Sequence, residues 1–245
     1  MLPPPDRAAL LLDMDGTLLD IAPTPDSVVV PPSLLASLTA LRTRLGGALA
    51  VISGRPVEQV DALLTAIPTA VSGEHGGALR PAPNAAIERP DLPTAPAAWL
   101  GVAERLVAGH RGALLERKAR GFVVHYRLAP HAGLTIRAAL APLLVGRTDF
   151  VLMAAHMAWE IRPNGADKAS AVRAVMARPP FAGRLPIFIG DDLTDRDAIA
   201  AAEKLGGVGL FVPDVFGDAA GVRGWLAGAA TGDGWALRRA PERHR

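Results

Sequence analysis

The sequence predicts an α/β fold with a Rossmann-like parallel-sheet core and an inserted α+β domain. Three observations support this: short apolar runs alternate with helical patterns at both ends of the chain, five prolines fall between residues 81 and 96, and the segment after them is patterned as hairpins. Strand–helix–strand order implies a parallel sheet with right-handed crossovers. At 245 residues and 50% hydrophobic content, the chain can fill such a core.

The first third predicts three buried strands joined by two helices. The strands are "AALLLD", "GALAVIS" and "TAVSG". The first helix is "PPSLLASLTALRTRLGG", where Leu34, Leu38, Leu41 and Leu45 recur at helical spacing and a glycine pair can end the helix. The second is "PVEQVDALL", with Pro56 in its first turn.

The middle of the chain departs from this rhythm. The segment "PAPNAAIERPDLPTAP" predicts a hairpin and a linker. Beyond it, "ALLERK" and "GFVVHYRL" predict paired strands, "LTIRAALAPLL" a helix, and "FVLMAAHMAWEIRP" a second hairpin. The parallel pattern then resumes with a helix from Asp167, the strand "LPIFIG" and the helix "DRDAIAAAEKLGG". We therefore predict a discontinuous core, residues 1–96 and 163–245, and an inserted domain, residues 97–162.

Composition excludes several classes of function. The chain has no cysteine, so disulfides, thiol catalysis and cysteine-bound zinc are excluded, and any metal must be held by carboxylates or histidines. The formal charge is only +2; the last eight residues, "RRAPERHR", carry +3, so the remainder of the chain carries −1. No basic stripe is interleaved with aromatics, so we expect no nucleic-acid partner. No apolar run approaches a membrane span and the start does not resemble a signal peptide, so we expect a cytoplasmic protein without membrane contact.

The unusual polar clusters all follow predicted parallel strands. Asp13 and Asp15 follow the first strand, Ser53 and Gly54 the second, and Asp191 and Asp192 follow "LPIFI". Lys168 comes directly after Asp167, the predicted cap of its helix, and Asp195 lies in the first turn of the next helix. Ligands of open α/β sheets bind beyond the carboxyl ends of the strands, so these groups should meet in one pocket.

Two neighbouring carboxylates after a buried strand need a compensating positive charge. Mg²⁺ held by Asp13, Asp15 and Asp191 would provide it, with Asp192 and Asp195 bonded to its waters. Asp13 can then attack phosphorus to form an aspartyl phosphate, and Asp15 can protonate the leaving oxygen and later deprotonate water. Ser53, Gly54 and Lys168 would hold the phosphoryl oxygens.

In order along the chain, "DMDGTL", "VISGR", the lysine ahead of a helix and "GDDLTD" resemble the four motifs of the haloacid dehalogenase superfamily. The trehalose-6-phosphate phosphatase family is the closer resemblance, through "DMDGTLLDIAPTPDSVVVP", "SGEHGG", "LERKARGFVVHYR", "WEIRPNGADKASA" and "FIGDDLTDRDA". The resemblance implies Mg²⁺-dependent hydrolysis of trehalose 6-phosphate. It also implies a cap domain that closes over the core and binds the disaccharide through Glu116, Lys118 and Glu160.

Several alternatives remain open from the residues alone. Another sugar-phosphate phosphatase of the same superfamily would share the four motifs. A phosphate-receiver module also gathers strand-end acids, a hydroxyl and a lysine around Mg²⁺, but would lack the insert and the partner role of Asp15. A binding-only relative is the third. Glu116 and Lys118, two apart on a strand, could also be a surface ion pair. The sequence does not indicate a protein partner.

Overall fold

The computed structural model describes residues 1–22, 24, 27–232 and 234–237, so the basic tail at 238–245 lies outside the described residues. The chain divides into two compact units. The described residues up to 88 and from 167 to 237 form the core unit, and Arg89–Ala166 form the inserted unit. These boundaries lie outside the predicted limits of 97 and 162, because the linker on either side belongs to the inserted unit.

The core unit is built on a six-stranded sheet in the order β10-β9-β1-β2-β3-β4. Its strands are β1 (Ala8–Leu12), β2 (Leu49–Ile52), β3 (Ala70–Gly73), β4 (Ala78–Arg80), β9 (Leu185–Gly190) and β10 (Val208–Phe211). All neighbours are parallel except β3 and β4. The first three strands and β9 confirm the prediction, and every residue of β1 and β2 is buried, as expected for a parallel sheet with both faces covered.

The helices of the core unit are α1 (Pro32–Arg44), α2 (Val57–Leu63), α5 (Lys168–Met176), α6 (Leu193–Lys204), α7 (Val212–Val215) and α8 (Ala219–Thr231). Leu34, Leu38 and Leu41 of α1 are buried, as their spacing predicts. Helix α5 begins after Asp167, whose side chain accepts the Ser170 N–H at 2.6 Å. This N-cap bond starts the helix at Lys168 and so determines where that lysine points.

The inserted unit is a four-stranded antiparallel sheet with helices on one face. The sheet order is β5-β6-β8-β7, from β5 (Leu114–Arg117), β6 (Phe122–His125), β7 (Phe150–Ala155) and β8 (Ala158–Pro163). Helices α3 (Ala97–Gly109) and α4 (Gly133–Leu140) share its apolar core, in which Trp99 meets Phe150 edge-on at 5.2 Å. Both hairpins and α4 match the prediction, whereas α3 was not predicted.

The sheet of the inserted unit has two chemically different faces. In the antiparallel register Glu116 is opposite Val123, and Val123 is opposite Glu160, so these side chains share one face. Phe122, Val124 and Ile161 alternate to the other face and lie in the apolar core. Within the described part of the chain, no helix combines the length and the apolar character needed to cross a membrane.

Candidate active site

Most of the predicted core-site residues follow the carboxyl ends of three adjacent strands, whereas Lys168 and Asp195 lie in the first turns of α5 and α6. Strands β9, β1 and β2 are neighbours, with Leu12 opposite both Ile189 and Val51. The Asp13 N–H continues this pairing by donating to the Ile189 carbonyl at 2.9 Å. Asp13, Ser53 and Asp191 therefore leave the sheet at the same edge, which is the usual place for a ligand in an α/β sheet.

Lys168 joins two carboxylates in the interior of the core unit. Its Nζ donates to Asp13 Oδ1 at 2.6 Å and to Asp195 Oδ1 at 2.7 Å, and its side chain is only 4% exposed. Burial opposes the charge of Lys168, but the two carboxylates outweigh it and raise its pKa above the usual value. The lysine is therefore a fixed cation of the site.

The charged forms of the Asp13 and Asp191 carboxyls are destabilised in this site. Burial raises the pKa of the Asp13 carboxyl well above its usual value, and the charge of Asp195 adds to this, although Lys168 opposes it. Burial also raises the pKa of Asp191, with a further contribution from Asp195 and an opposing hydrogen bond from Thr17. One lysine thus leaves these carboxylates incompletely compensated, as expected where a second cation belongs.

Asp13, Asp191 and Asp195 have the geometry of a metal site. Each offers one carboxylate oxygen, and the three oxygens lie within 4.8 Å of one another. The Thr17 hydroxyl is 3.0 Å from Asp191 Oδ1 and 3.3 Å from Asp13 Oδ2, so it bridges two of the three acids. An all-oxygen set of partly uncompensated carboxylates fits a hard divalent cation.

The loops around this cluster require two glycines. Gly16 has φ of +82°, and a Cβ there would lie 2.1 Å from Asp191 Oδ2. A Cβ on Gly54 would lie 2.5 Å from Nε2 of His75. Both glycines therefore permit a close approach of backbone to a polar side chain that any larger residue would block.

Asp192 and Asp195 shape the start of α6. Asp192 is the N-cap, and its Oδ1 accepts the Thr194 N–H at 3.1 Å. Asp195 Oδ2 accepts the N–H groups of Asp191 and Asp192 at 3.1 and 3.0 Å, while its other oxygen holds Lys168. Asp195 therefore orients both the loop that carries Asp191 and the lysine.

Asp15 is held by a residue that the sequence analysis did not select. Arg55 donates through Nε and Nη2 to Oδ2 and Oδ1 of Asp15, both at 2.6 Å. The side chain of Asp15 is thus directed to Arg55, and the three-acid cluster contains Asp195 in place of Asp15. The only sequence signal for Arg55 was its position directly after Ser53 and Gly54 in "VISGR".

Ser53 is fixed between its neighbours on the β2 loop. Its N–H donates to the Ser72 carbonyl at 2.9 Å, and its buried hydroxyl oxygen accepts the Arg55 N–H at 3.1 Å. Since the hydroxyl accepts from Arg55, it keeps its own proton for an acceptor such as a phosphoryl oxygen.

The three predicted sugar-binding residues are brought together in the inserted unit. Lys118 Nζ donates to Glu160 Oε1 at 3.0 Å, and both side chains are buried. Glu116 Oε2 is 2.8 Å from His125 Nε2. Burial raises the pKa of the Glu116 carboxyl, but the His125 hydrogen bond and the Lys118 charge outweigh it and leave the pKa below its usual value. The sheet face that carries Glu116 and Glu160, here called the polar face, thus presents carboxylate acceptors beside the Lys118 ammonium and the His125 imidazole.

Known proteins resemble this chain over most of its length. The trehalose-phosphatase family model matches residues 11–217. A probable trehalose-phosphate phosphatase of Sinorhizobium fredii is 40% identical over 216 residues, covering 84% of this chain and 77% of the relative. The trehalose-6-phosphate phosphatase of Escherichia coli is 37% identical over 205 residues, covering 83% and 77%.

A solved structure agrees with the fold. The C-terminal domain of the C. albicans trehalose-6-phosphate phosphatase superposes with a TM-score of 0.76, at 19% identity, over 93% of each chain. The family-model match and the two curated relatives confirm the resemblance to the trehalose-6-phosphate phosphatase family, and the solved structure agrees with the fold. By its family-model match and by its identity to curated relatives, the chain belongs to the trehalose-phosphatase family.

Proposed function

We propose that this protein is a Mg²⁺-dependent phosphatase that hydrolyses trehalose 6-phosphate to trehalose and phosphate through an aspartyl phosphate on Asp13. The observation that carries the proposal is the buried contact between Asp13 and Lys168 beside the three-acid cluster, at the carboxyl edge of a parallel sheet. Membership of the trehalose-phosphatase family supports the substrate. The relatives named above carry that substrate in their own names.

Asp13 is the proposed nucleophile, because it is the buried carboxylate at the end of the central strand β1. One of its oxygens would form a bond to phosphorus as the bond from phosphorus to the sugar oxygen breaks. Lys168 and the Ser53 hydroxyl would donate to the phosphoryl oxygens, and the Gly54 loop would leave room for them. Asp195 holds Lys168 in place for this contact.

Asp13 and Asp191 would hold Mg²⁺, which when bound supplies positive charge for the phosphoryl group. The assignment of Asp15 to the ion stays a prediction, since its carboxylate is engaged by Arg55. Asp15 is the proposed acid and base: it gives a proton to the departing sugar oxygen and takes one from the water that attacks the aspartyl phosphate. The water oxygen then bonds to phosphorus, phosphate departs and Asp13 is regenerated.

We assign the polar face of the inserted unit to the sugar. Glu116 and Glu160 can accept hydrogen bonds from sugar hydroxyls, and Lys118 can donate to them. The buried contact between Lys118 and Glu160 pre-orients both groups, so less side-chain entropy is lost on binding. Lys118 also acts on the Glu116 carboxyl through its charge, but its side chain is buried and donates to Glu160, which supports a sugar-binding face over a solvated surface ion pair.

The test is phosphate release by the purified protein from a panel of substrates, with Mg²⁺ and with excess chelator. We expect trehalose 6-phosphate to be hydrolysed with a higher kcat/KM than glucose 6-phosphate or other sugar phosphates, and chelator to stop the reaction until Mg²⁺ is restored. A higher kcat/KM for another sugar phosphate would contradict the substrate. Full activity in excess chelator would contradict the metal-assisted mechanism.

A further inference from the structure

Arg55 connects two loops of the candidate site in the core unit. Its side chain is 10% exposed, whereas that of its partner Asp15 is 37% exposed. The guanidinium meets the carboxylate side-on, through two hydrogen bonds of 2.6 Å to its two oxygens. A bidentate fork of this kind fixes the plane of the carboxylate as well as its position, which a single point charge cannot do.

The backbone of Arg55 is itself fixed on both sides. Its N–H donates to the Ser53 hydroxyl oxygen at 3.1 Å, and its carbonyl accepts the Glu74 N–H at 3.0 Å. The guanidinium therefore extends from a loop that is hydrogen-bonded on both sides to a partly exposed acid on a different loop. Arg55 is the direct link between the residue that carries the proposed phosphate contact and the proposed acid.

We propose that Arg55 is the positioning residue for Asp15 and sets where the proton transfer of the reaction takes place. The inference rests on the proposed function, because it concerns the proton that Asp15 transfers. The fork uses one lone pair on each carboxylate oxygen and leaves one on each for the reaction. The proton moves from Asp15 to the sugar oxygen as the phosphorus–oxygen bond breaks, and a proton returns from water as the new bond forms.

This role makes the effect of Arg55 depend on the leaving group. An alkoxide departs slowly without a proton, so its transfer step needs a correctly placed Asp15. A nitrophenolate is a weak base and departs without one. Since kcat/KM reports the reaction up to departure of the leaving group, loss of Arg55 should reduce kcat/KM for alkyl phosphates and spare aryl phosphates.

The first experiment measures kcat/KM of the parent, Arg55→Lys and Asp15→Asn on three substrates with Mg²⁺: trehalose 6-phosphate, ethyl phosphate and 4-nitrophenyl phosphate. For Arg55→Lys we expect kcat/KM to fall about 10- to 100-fold on both alkyl substrates, because part of the general acid catalysis is lost. On the aryl substrate we expect kcat/KM to fall less than about threefold. Ethyl phosphate is included because it lacks a sugar, so its loss cannot come from the inserted unit.

Arg80→Lys is the matched control. Arg80 is also buried in the core unit, and its Nε and Nη2 form the same fork on Asp61 at 2.7 and 2.8 Å. Arg80 is the last residue of β4, and its ion pair with Asp61 has no role in the proposed reaction. The control therefore breaks a side-on ion pair of the same kind elsewhere in the core unit. We expect it to lower the melting temperature and to leave the ratio of alkyl to aryl kcat/KM unchanged.

A second experiment uses Arg55→Ala with free guanidinium ion. Guanidinium chloride at about 20 mM, far below the molar concentrations that unfold proteins, should raise the kcat/KM of Arg55→Ala on ethyl phosphate at least about fivefold. An equal concentration of sodium chloride should restore none. Rescue by the ion requires an intact fold with an empty guanidinium position, so it separates positioning from unfolding.

The outcomes distinguish failure of the positioning role of Arg55 from failure of the proposed function. Equal losses on all three substrates, or no loss, for Arg55→Lys would overturn the inference, as would absence of guanidinium rescue in folded Arg55→Ala. If Asp15→Asn loses alkyl activity selectively while the Arg55 variants do not, only the inference fails. If the parent does not hydrolyse trehalose 6-phosphate, the proposed function fails and the inference fails with it.

Discussion

Replacing Lys168 by Met should destabilise the core unit, because the lysine compensates two buried carboxylates. Its Nζ lies 2.6 Å from Asp13 and 2.7 Å from Asp195, and all three side chains are buried. Methionine keeps the length and the apolar stem but removes the charge. Breaking a buried charge pair by removing one partner costs about 3 to 5 kcal/mol, so we expect a loss of that order near neutral pH without metal.

The direction in which pH changes the stability of the variant follows from Asp13. Burial already raises the pKa of Asp13, and Lys168 is a cause that lowers it, so removing the lysine raises the pKa further. The native variant then binds a proton that the unfolded chain releases above about pH 4. Its free energy of unfolding falls as pH rises, by up to about 1.4 kcal/mol per pH unit for one proton, up to the raised pKa.

The assay is urea unfolding followed by circular dichroism in chelator, at about pH 5.5 and about pH 7.5. Lys204→Met is the control, since Lys204 is exposed in the last turn of α6 and should contribute less than about 0.5 kcal/mol. The variant Lys168→Met should lose at least as much stability, relative to the parent, at the higher pH as at the lower. A loss below about 1 kcal/mol at both pH values, or a smaller loss at the higher pH, would refute the argument from charge compensation.

Three further predictions test the remaining parts of the site. Asp13→Asn should remove turnover while the far-ultraviolet circular dichroism stays unchanged, because an amide is a poor nucleophile; activity above about 5% of the parent would contradict the assignment. Gly16→Ala should reduce kcat at least about tenfold, because its Cβ would lie 2.1 Å from a carboxylate oxygen of the acidic cluster, and unchanged kcat would show that the loop yields without cost. The variants Glu116→Ala, Lys118→Ala and Glu160→Ala should each lose about 10- to 100-fold in kcat/KM on trehalose 6-phosphate and keep that on 4-nitrophenyl phosphate, whereas parallel losses on both substrates would contradict a sugar role.

The sequence predicts the central part of the fold because the signals are local. Buried strands β1, β2, β3 and β9 are short apolar runs, and α1 repeats leucine at helical spacing. The helices α3, α7 and α8 and the strands β4 and β10 were not predicted. Helix α3 follows a proline-rich linker, and α8 and β10 contain glycine, which weakens the local preference for helix or strand. Packing within each unit stabilises these elements instead.

The placement of polar residues after strands also led to most residues of the candidate site. Asp13, Ser53 and Asp191 follow strands that a parallel sheet brings to one edge, so their proximity follows from topology alone. The capping role of Asp167 is likewise local, and it places Lys168 at the start of its helix. These assignments needed only the order of strands and helices along the chain.

Only the tertiary structure decided which charges meet. Lys168 contacts Asp13, which is 155 residues away, and Arg55 takes the carboxylate of Asp15, which is 40 residues away. In the inserted unit, Lys118 donates to Glu160, which is 42 residues away, and its charge also lowers the pKa of the Glu116 carboxyl. Periodicity and strand ends determine which residues share an edge or a face, but the pairing of long flexible side chains depends on burial and on the geometry that the folded backbone imposes.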